Sequence, residues 1–293
     1  MKTDKVKKVI KKKYTKFRPR IRSRHPSHNP LRNQLPLLPF RSIVRLGSTT
    51  VDNDIHAATL VECNSVQSIK NSASKLLMKQ CFTQAGVKTA KWSKASEQYE
   101  ILDHGIKFLL GQNDHEEFNG IEFPIVAKSH FGSRGQGNTL IKSKEELEQW
   151  LRGKQLNNYI FEKFMNYALE FRLHISKDGC FYACRKALKA DVPEDQKWRR
   201  HDDICVWFME DNEEFKKPDS WNDIVQDCVK ALISLGLDIG CFDVRVQSKQ
   251  NNRGKIREYQ DFIILESNSA PSFGDVTLNK YLEEIPKILK SKA

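Results

Sequence analysis

The sequence lacks any apolar run of the roughly 18–20 residues that a transmembrane helix needs. Its first residues also lack the apolar stretch of a secretory signal, so we predict a cytoplasmic protein without a membrane partner. The 7 cysteines are scattered, and neither they nor the 8 histidines show the close spacing of zinc ligands. Reduced thiols are expected in that compartment. Internal repeats and a serine–histidine–aspartate arrangement are not evident either.

Acidic residues are almost absent from the first forty residues. Residues 1–40 hold 13 Lys and Arg side chains against a single acid, Asp4, which accounts for the net charge of +12 of the whole chain. The remaining residues therefore carry no net charge, which gives no support to a nucleic-acid-binding body. Five prolines also interrupt residues 1–40, so this composition predicts a disordered basic tail. The tail is either a solvated extension or an arm that binds nucleic acid or an acidic partner.

Beyond residue 40 the apolar spacing predicts helices and strands in alternation. Helices are predicted over 72–85, 96–110, 143–152, 219–235 and 278–290. Strands are predicted over 41–46, 58–63, 124–128, 138–141, 159–163, 169–175, 180–188, 204–208, 239–247 and 259–266. Separate helices mixed with antiparallel-looking strands indicate an α+β fold.

A glycine-rich loop follows a predicted strand that ends at Lys128. The loop contains Gly132, Ser133, Arg134, Gly135 and Gly137. Closely spaced glycines let successive backbone N–H groups point at one anion, and a lysine at the strand end can reach a phosphate. The loop leads into a strand, which excludes a Walker A loop and a Rossmann turn, because both use a helix N-terminus. An ordinary glycine-rich hairpin is the alternative.

Polar groups also interrupt two apolar strands near the C-terminus, in CFDVRVQ (241–247) and DFIILESNSAPSFGD (261–275). Asp243 lies inside the first, and Glu266 and Asn268 share a face of the second because strand side chains alternate. Buried carboxylates need a partner or a metal, and this oxygen set suits Mg²⁺. A salt bridge from Asp243 to Arg245 is the alternative.

A third polar group lies at the end of the strand 159–163. Glu162 and Lys163 end this strand, and Glu170 follows eight residues after Glu162. A strand end offers backbone groups to an adenine edge, and a nearby carboxylate can accept from ribose hydroxyls. Charged strand ends are also common without any ligand. A polar excursion follows over 189–203, where basic side chains either recognise an acidic substrate or form a solvated loop.

The order of these motifs resembles the ATP-grasp family of carboxylate–amine ligases. The resemblance covers roughly residues 70–290, and the layout is most similar to the RimK-type peptide–amino acid ligases and the D-alanine–D-alanine ligases. The segments that carry it are NSASKLLMKQCFTQAGVKTAKW, VAKSHFGSRGQG, FEKF, LEFR, FDVRV and ILESNSAPS. The family resemblance implies two α+β subdomains that clasp a nucleotide. In this chain these would be residues 73–160 and 161–293, preceded by a shortened α/β element over 41–72.

The resemblance also implies roles for individual residues. Lys75 and Lys128 would hold phosphates under a lid formed by residues 132–137. The nucleoside would be bound by Glu162, Lys163 and Phe164 at the adenine and by Glu170 at the ribose. The metal, Mg²⁺ or alternatively Mn²⁺, would be held by Asp243, Glu266 and Asn268. An arginine would support the reaction intermediate, with Arg172, Arg185 and Arg245 as candidates.

The implied activity is amide-bond formation. ATP would phosphorylate a substrate carboxylate, and an amine would then attack the acyl phosphate, with a peptide, a protein or an amino acid as substrate. The alternative is a nucleotide-binding, catalytically weak protein that its basic tail recruits to nucleic acid or to a macromolecular assembly.

Overall fold

The computed structural model of the chain describes residues 15–23, 25–51, 60–109, 120–131 and 137–293. The loop residues Gly132, Ser133, Arg134 and Gly135 lie outside this part of the chain, as do residues 1–14. Among the described helices, none is both long and apolar enough to cross a membrane.

The described N-terminal residues form a small parallel sheet. Its order is β1-β2-β3, and it is built with one short helix from β1 (Arg20–Ser23), α1 (Leu31–Gln34), β2 (Arg41–Leu46) and β3 (Leu60–Cys63). A 3₁₀ turn, Pro26–His28, connects β1 to α1.

The prediction of a disordered tail over residues 1–40 is wrong for the described residues of that segment. Leu31, Leu35 and Leu38 are buried, and they pack with Tyr281 and Ile285 of the C-terminal helix. The prediction relied on the average composition of the segment, which is basic and proline-rich. It did not consider that three leucines are spaced so that all of them reach one apolar cluster. The N-terminal element therefore begins well before residue 41.

Two helices follow where the sequence predicted one over 72–85. They are α2 (Val66–Ala73) and α3 (Lys75–Gln84). Ser74 separates them in an extended conformation, with ψ 116°. Its hydroxyl accepts a hydrogen bond from the N–H of Leu77 at 3.3 Å, which caps α3. The serine therefore begins a new helix instead of continuing the old one.

The next part of the chain forms two antiparallel sheets and a helix. Its elements are β4 (Trp92–Lys94), β5 (Tyr99–Leu102), β6 (Gly105–Phe108), β7 (Ile121–Glu122), β8 (Ile125–Ser129), β9 (Thr139–Ile141), α4 (Lys144–Leu151) and β10 (Tyr159–Lys163). The larger sheet has the order β4-β10-β8-β9, and the smaller has the order β5-β6-β7. The helix predicted over 96–110 is wrong, because β5 and β6 pair as a hairpin around Asp103 and His104. The predicted boundary between 160 and 161 falls inside β10, which belongs to the larger sheet throughout.

The C-terminal part is a five-stranded antiparallel sheet with helices packed behind it. Its elements are β11 (Leu169–Ser176), β12 (Gly179–Leu188), β13 (Cys205–Met209), α5 (Trp221–Ser234), β14 (Ile239–Val246), β15 (Phe262–Asn268) and α6 (Asp275–Ser291). The strand order is β13-β12-β11-β14-β15. One face carries Phe171 and Leu173 into a core with Ile224 and Leu232 of α5. Because strand side chains alternate, the other face is left for polar residues.

Candidate active site

A cavity of about 730 Å³ lies between the four-stranded sheet and the five-stranded sheet. The four-stranded sheet and the turn after it contribute Lys128, Glu162, Lys163 and Phe164. The five-stranded sheet contributes Glu170, Arg172, Asp243, Arg245, Glu266 and Asn268. Two facing walls thus bring together residues that lie up to 140 positions apart in the sequence.

Lysines surround one buried carboxylate on the four-stranded wall. Glu162 is 2% exposed, and its Oε1 accepts a hydrogen bond from Lys79 Nζ at 2.6 Å. Lys128 forms an ion pair with Oε2 of the same carboxylate. Lys79 is fully buried and also donates to Thr89. Sequence reasoning missed Lys79, which lies one helical turn after Lys75.

The electrostatics of this cluster follow from burial and from its unequal charges. Burial lowers the pKa of Lys79 and of Lys75, and Glu162 acts in the opposite direction on both. Burial alone would raise the pKa of Glu162, but Lys128 and Lys79 outweigh it and lower the pKa. Three lysines (Lys75, Lys79 and Lys128) share two carboxylates (Glu162 and Glu266, the latter acting most on Lys75), so this corner keeps one positive charge.

The turn after β10 supplies a backbone donor that the sequence did not single out. The N–H of Lys163 donates to Lys91 O at 2.8 Å, and the N–H of Phe164 donates to Pro124 O at 2.9 Å. For the N–H of Met165 we find no acceptor among the described residues, and Met165 lines the cavity. A free N–H at this position can donate to the edge of a bound base.

Strand register aligns the polar residues of the five-stranded wall. Arg172 lies opposite Asp243, and Asp243 lies opposite Glu266, so the three form one row across the sheet. Asp243 accepts two hydrogen bonds from Arg172, from Nε at 2.7 Å and from Nη2 at 2.9 Å. Burial alone would raise the pKa of Asp243, but Arg172 outweighs it and lowers the pKa. The alternative pairing of Asp243 with Arg245 does not form.

A neighbouring row is organised around Glu170, which is 4% exposed. Its Oε2 accepts from Arg245 Nε at 3.1 Å and lies 3.9 Å from Arg200 Nε. Lys186 Nζ lies 3.9 Å from Oε1 and 2.9 Å from Asp202 Oδ1. Burial and then Arg245 lower the pKa of Arg200, and Glu170 acts in the opposite direction.

Arg185 lies outside the cavity, which corrects its selection as a catalytic candidate. It is opposite Phe171, whose side chain is in the core, so it lies on the other face of the sheet from Arg172. Arg185 Nη1 donates to Glu214 O at 2.7 Å. Side chains alternate along the strand, which places Arg185 on the core face; of the three predicted catalytic arginines, Arg172 and Arg245 line the cavity.

The predicted metal ligands share the cavity, although part of their hydrogen-bonding capacity is used. A register shift in β15 at Leu265 keeps Glu266 opposite Asp243. Asn268 Oδ1 accepts from Ala270 N at 2.9 Å. No cluster of three or more His, Cys, Asp and Glu side chains suited to a metal occurs within the described ranges. Each oxygen keeps a second lone pair, so two carboxylates and an amide still fit Mg²⁺.

Two further segments line the cavity: the polar excursion, for which the sequence left substrate recognition and a solvated loop open, and the N-terminal element, which was not assigned to the site. The excursion between β12 and β13 contributes Trp198, Arg199, Arg200 and His201. Arg200 has a φ of +44°, an unusual value for a residue with a side chain. His25 of the N-terminal element lies at the same cavity. His25 was not considered as a site residue, because residues 1–40 were predicted to be disordered.

Comparisons with known proteins give the fold. A scan against models of protein families finds no match, and a search of curated protein sequences finds no relative. Solved structures do match. The D-alanine–D-alanine ligase from Bacillus anthracis complexed with ATP has a TM-score of 0.54 at 13% identity, over 86% of this chain and 78% of that one. The chain has the ATP-grasp fold.

A second similar structure is the carboxyaminoimidazole ribonucleotide synthase from Aspergillus clavatus complexed with ATP. Its TM-score is 0.53 at 15% identity, over 85% of this chain. The present chain spans 60% of that synthase. Another structure of the Bacillus anthracis ligase gives a TM-score of 0.50 at 14% identity, over 79% of this chain and 70% of that one. The α+β class predicted from the sequence is confirmed.

Proposed function

We propose that the chain is an ATP-dependent ligase that joins a carboxylate to an amine through an acyl phosphate. The substrate would be a peptide, a protein or an amino acid. One observation supports this most: a single cavity has lysines and a free backbone donor on one wall, and paired carboxylates with arginines on the facing wall. These are the groups that bind a nucleotide and a metal and that stabilise charge during phosphoryl transfer.

The four-stranded wall, together with the start of α3, would bind the nucleotide. Lys75, the first residue of α3, and Lys128 would hold the phosphates, because three lysines share two carboxylates. The N–H of Met165 would donate to the adenine edge, beside Phe164. Residues 132–137 would cover the phosphates, as the resemblance implies.

The ribose would lie against Glu170. Its Oε2 is engaged by Arg245, whereas Oε1 is 3.9 Å from Lys186 and is therefore beyond hydrogen-bond distance. Oε1 can accept from a ribose hydroxyl, while the second oxygen keeps its arginine.

Asp243, Glu266 and Asn268 would hold Mg²⁺, with Mn²⁺ as an alternative. The cation would neutralise charge on the phosphate oxygens. Arg172 would support the acyl phosphate, because it lies in the same row as both carboxylates and keeps Nη1 beyond the two donors used by Asp243. Exclusion of water by the facing walls would protect an acyl phosphate from hydrolysis.

Hydroxylamine trapping tests the proposal. The full chain is incubated with Mg²⁺, ATP and panels of amino acids and peptides, and ADP and hydroxamate are measured. We expect carboxylate-dependent formation of both products, a loss of at least about tenfold in Arg172→Met, and little change in the matched control Arg185→Met. A loss of about tenfold corresponds to about 1.4 kcal/mol of transition-state stabilisation. ADP formation that ignores the carboxylate would contradict a ligase.

One observation favours a second candidate, a nucleotide-binding protein with weak catalysis. Arg172 occupies both oxygens of Asp243, a proposed metal ligand. Binding of ATP without any turnover in the trapping assay would support this candidate. Recruitment to nucleic acid through residues 1–40 would then be tested by the salt dependence of binding.

A further inference from the structure

Strand β13 is the outer edge of the five-stranded sheet. It pairs with β12 on one side, and no described strand covers its other side. Its sequence is CVWFM, without charge, proline or glycine. Protein sheets usually protect an edge with charges, prolines or bulges, because an open edge pairs with other chains. Strand β13 has none of these protective features. Its apolar side chains Val206 and Met209 are 38% and 37% exposed.

The register shows which backbone groups of β13 point outward. Lys189 N donates to Ile204 O at 3.0 Å, just before the strand. Hydrogen-bonded and non-hydrogen-bonded pairs alternate in antiparallel strands. Val206 and Phe208 therefore bond to β12, whereas the N–H and C=O groups of the residues between and beside them point away from the sheet.

Part of this outward set is already used. Cys205 N donates to Asp202 O, and Met209 O accepts from Asn212 N at 2.9 Å. Four outward groups remain for which the described residues provide no partner: Cys205 C=O, Trp207 N–H, Trp207 C=O and Met209 N–H. Their alternation is what an added antiparallel or parallel strand requires.

Negative charge lies at the C-terminal end of β13. Asp202 and Asp203 precede the strand but contact Lys186 and His201, whereas Glu210, Asp211, Glu213 and Glu214 follow it, all of them exposed. Among the described residues, Glu210, Asp211 and Glu213 form no ion pair, so negative charge is concentrated at the far end of the edge. A basic segment has the complementary charge.

The edge lies beside the cavity. Arg172 Cζ lies 4.8 Å and Lys186 Nζ lies 5.1 Å from the centroid of the Trp207 ring, and both of these cationic side chains line the cavity. Asp202, Asp203 and Ile204 line it too, immediately before β13. A chain paired with β13 would therefore run past the mouth of the cavity.

We propose that β13 binds an extended basic peptide segment as an additional strand. Backbone hydrogen bonds would supply affinity, and the acidic residues after the strand would select Lys- and Arg-rich segments. That such a segment is the substrate of the ligase rests on the proposed function, but the binding itself needs neither nucleotide nor catalysis. The test is therefore made without ATP.

Fluorescence polarisation tests binding of a labelled, capped hexapeptide of alternating lysine and valine to the full chain. Two matched peptides are compared with it, one with glutamate for lysine and one methylated on alternate backbone nitrogens. We expect binding of the lysine peptide only. Methylation removes the two peptide N–H donors that would pair with Cys205 C=O and Trp207 C=O, so it is expected to weaken binding severalfold or more.

Protein variants give the second arm. Met209→Pro removes one outward N–H, and Asp211→Lys reverses one end charge, so each is expected to weaken binding severalfold. Glu283→Lys on α6 is the matched control, because it reverses an exposed acid away from β13. Circular dichroism checks that each variant is folded.

The proposal is overturned if the methylated and unmethylated peptides bind equally, since only charge would then act. It is also overturned if the glutamate peptide binds as well as the lysine peptide, or if no lysine peptide binds at millimolar concentration. The methylated peptide keeps the test decisive even if Met209→Pro fails to fold.

Discussion

Replacement of Lys79 by methionine tests the cluster that we place under the nucleotide phosphates. Lys79 is fully buried, and its Nζ lies 2.6 Å from Glu162 Oε1. Methionine keeps much of the length of the side chain and removes its charge. Breaking a buried ion pair typically costs about 3–5 kcal/mol, because the remaining charge loses its partner. Since Lys128 still contacts Glu162, we expect the lower end, about 3 kcal/mol.

The double variant Lys79→Met/Glu162→Gln separates this explanation from a simple loss of packing. It removes both partners of the ion pair at once, so its loss of stability is expected to be smaller than the sum of the losses in Lys79→Met and in Glu162→Gln. For a chain of this size each kcal/mol shifts the melting temperature by about 2 °C, so the single variant is expected to melt about 6 °C lower.

Thermal melting by circular dichroism measures both variants. Lys70→Met is the control, because Lys70 is an exposed lysine on the neighbouring helix. The reasoning is refuted if Lys79→Met melts within about 1 °C of the wild type. It is also refuted if the loss of stability in the double variant equals the sum of the losses in Lys79→Met and Glu162→Gln, since the two side chains would then not interact.

Further predictions concern acid stability, the N-terminal element and the Glu170 row. Burial lowers the pKa of His174 to about 3 and of His28 to about 4. Unfolded histidines titrate near ~6.5, so the unfolded state takes up protons first, and the free energy of unfolding should fall as the pH drops from about 6.5 to 4. These two histidines should together contribute up to about 2.7 kcal/mol per pH unit to the slope near pH 5, and His174→Gln should remove about half of that contribution in urea titrations across pH. Gly47 has a φ of +70°, and an added Cβ would lie 2.6 Å from Ala270 Cβ. Gly47→Ala should therefore cost about 1–3 kcal/mol in thermal melting, with partial recovery in Gly47→Ala/Ala270→Gly. Glu170→Gln should lower stability by about 3 kcal/mol by the same assay, because three cations lose a shared carboxylate; an unchanged melting temperature would contradict that arrangement.

Some residues of the two cavity walls could be predicted from the sequence, because they are polar residues of the right chemical type in otherwise apolar strands. Asp243, Glu266 and Asn268 interrupt apolar strands, and a polar residue in an apolar strand is visible in a single sequence. Their meeting in one row depends on strand pairing, which a single sequence does not specify. We predicted that these residues meet because the order of motifs resembles that of ATP-grasp ligases.

Hydrophobic periodicity gave wrong expectations at positions where a charged side chain is buried and an apolar one is exposed. On α3, Lys79 is fully buried, whereas Leu77 is 38% exposed. A periodicity argument places the leucine inside and the lysine outside, since it does not know that Glu162 lies across the interface. Arg185 failed for a related reason: its face of the strand follows from register and not from residue type.

Local composition and spacing gave wrong structural predictions in two other segments. Residues 15–40 are basic and proline-rich on average, yet a few leucines suffice to pack them against α6. Residues 96–110 satisfy helical spacing, but the turn at Asp103 and His104 lets the same apolar residues alternate in β5 and β6. In both places tertiary contacts outweigh the local signal.

The central claim is a metal-dependent ATP site in the cavity, and binding of a non-hydrolysable ATP analogue tests it most directly. Thermal stabilisation is measured with and without Mg²⁺ in the wild type, in Glu266→Ala and in the exposed-site control Glu283→Ala. At a hundred times its dissociation constant a ligand stabilises the native state by about 2.7 kcal/mol. We expect stabilisation that requires Mg²⁺ in the wild type and the control and that is much weaker in Glu266→Ala. No stabilisation at millimolar nucleotide, or equal stabilisation of all three proteins, would contradict the account.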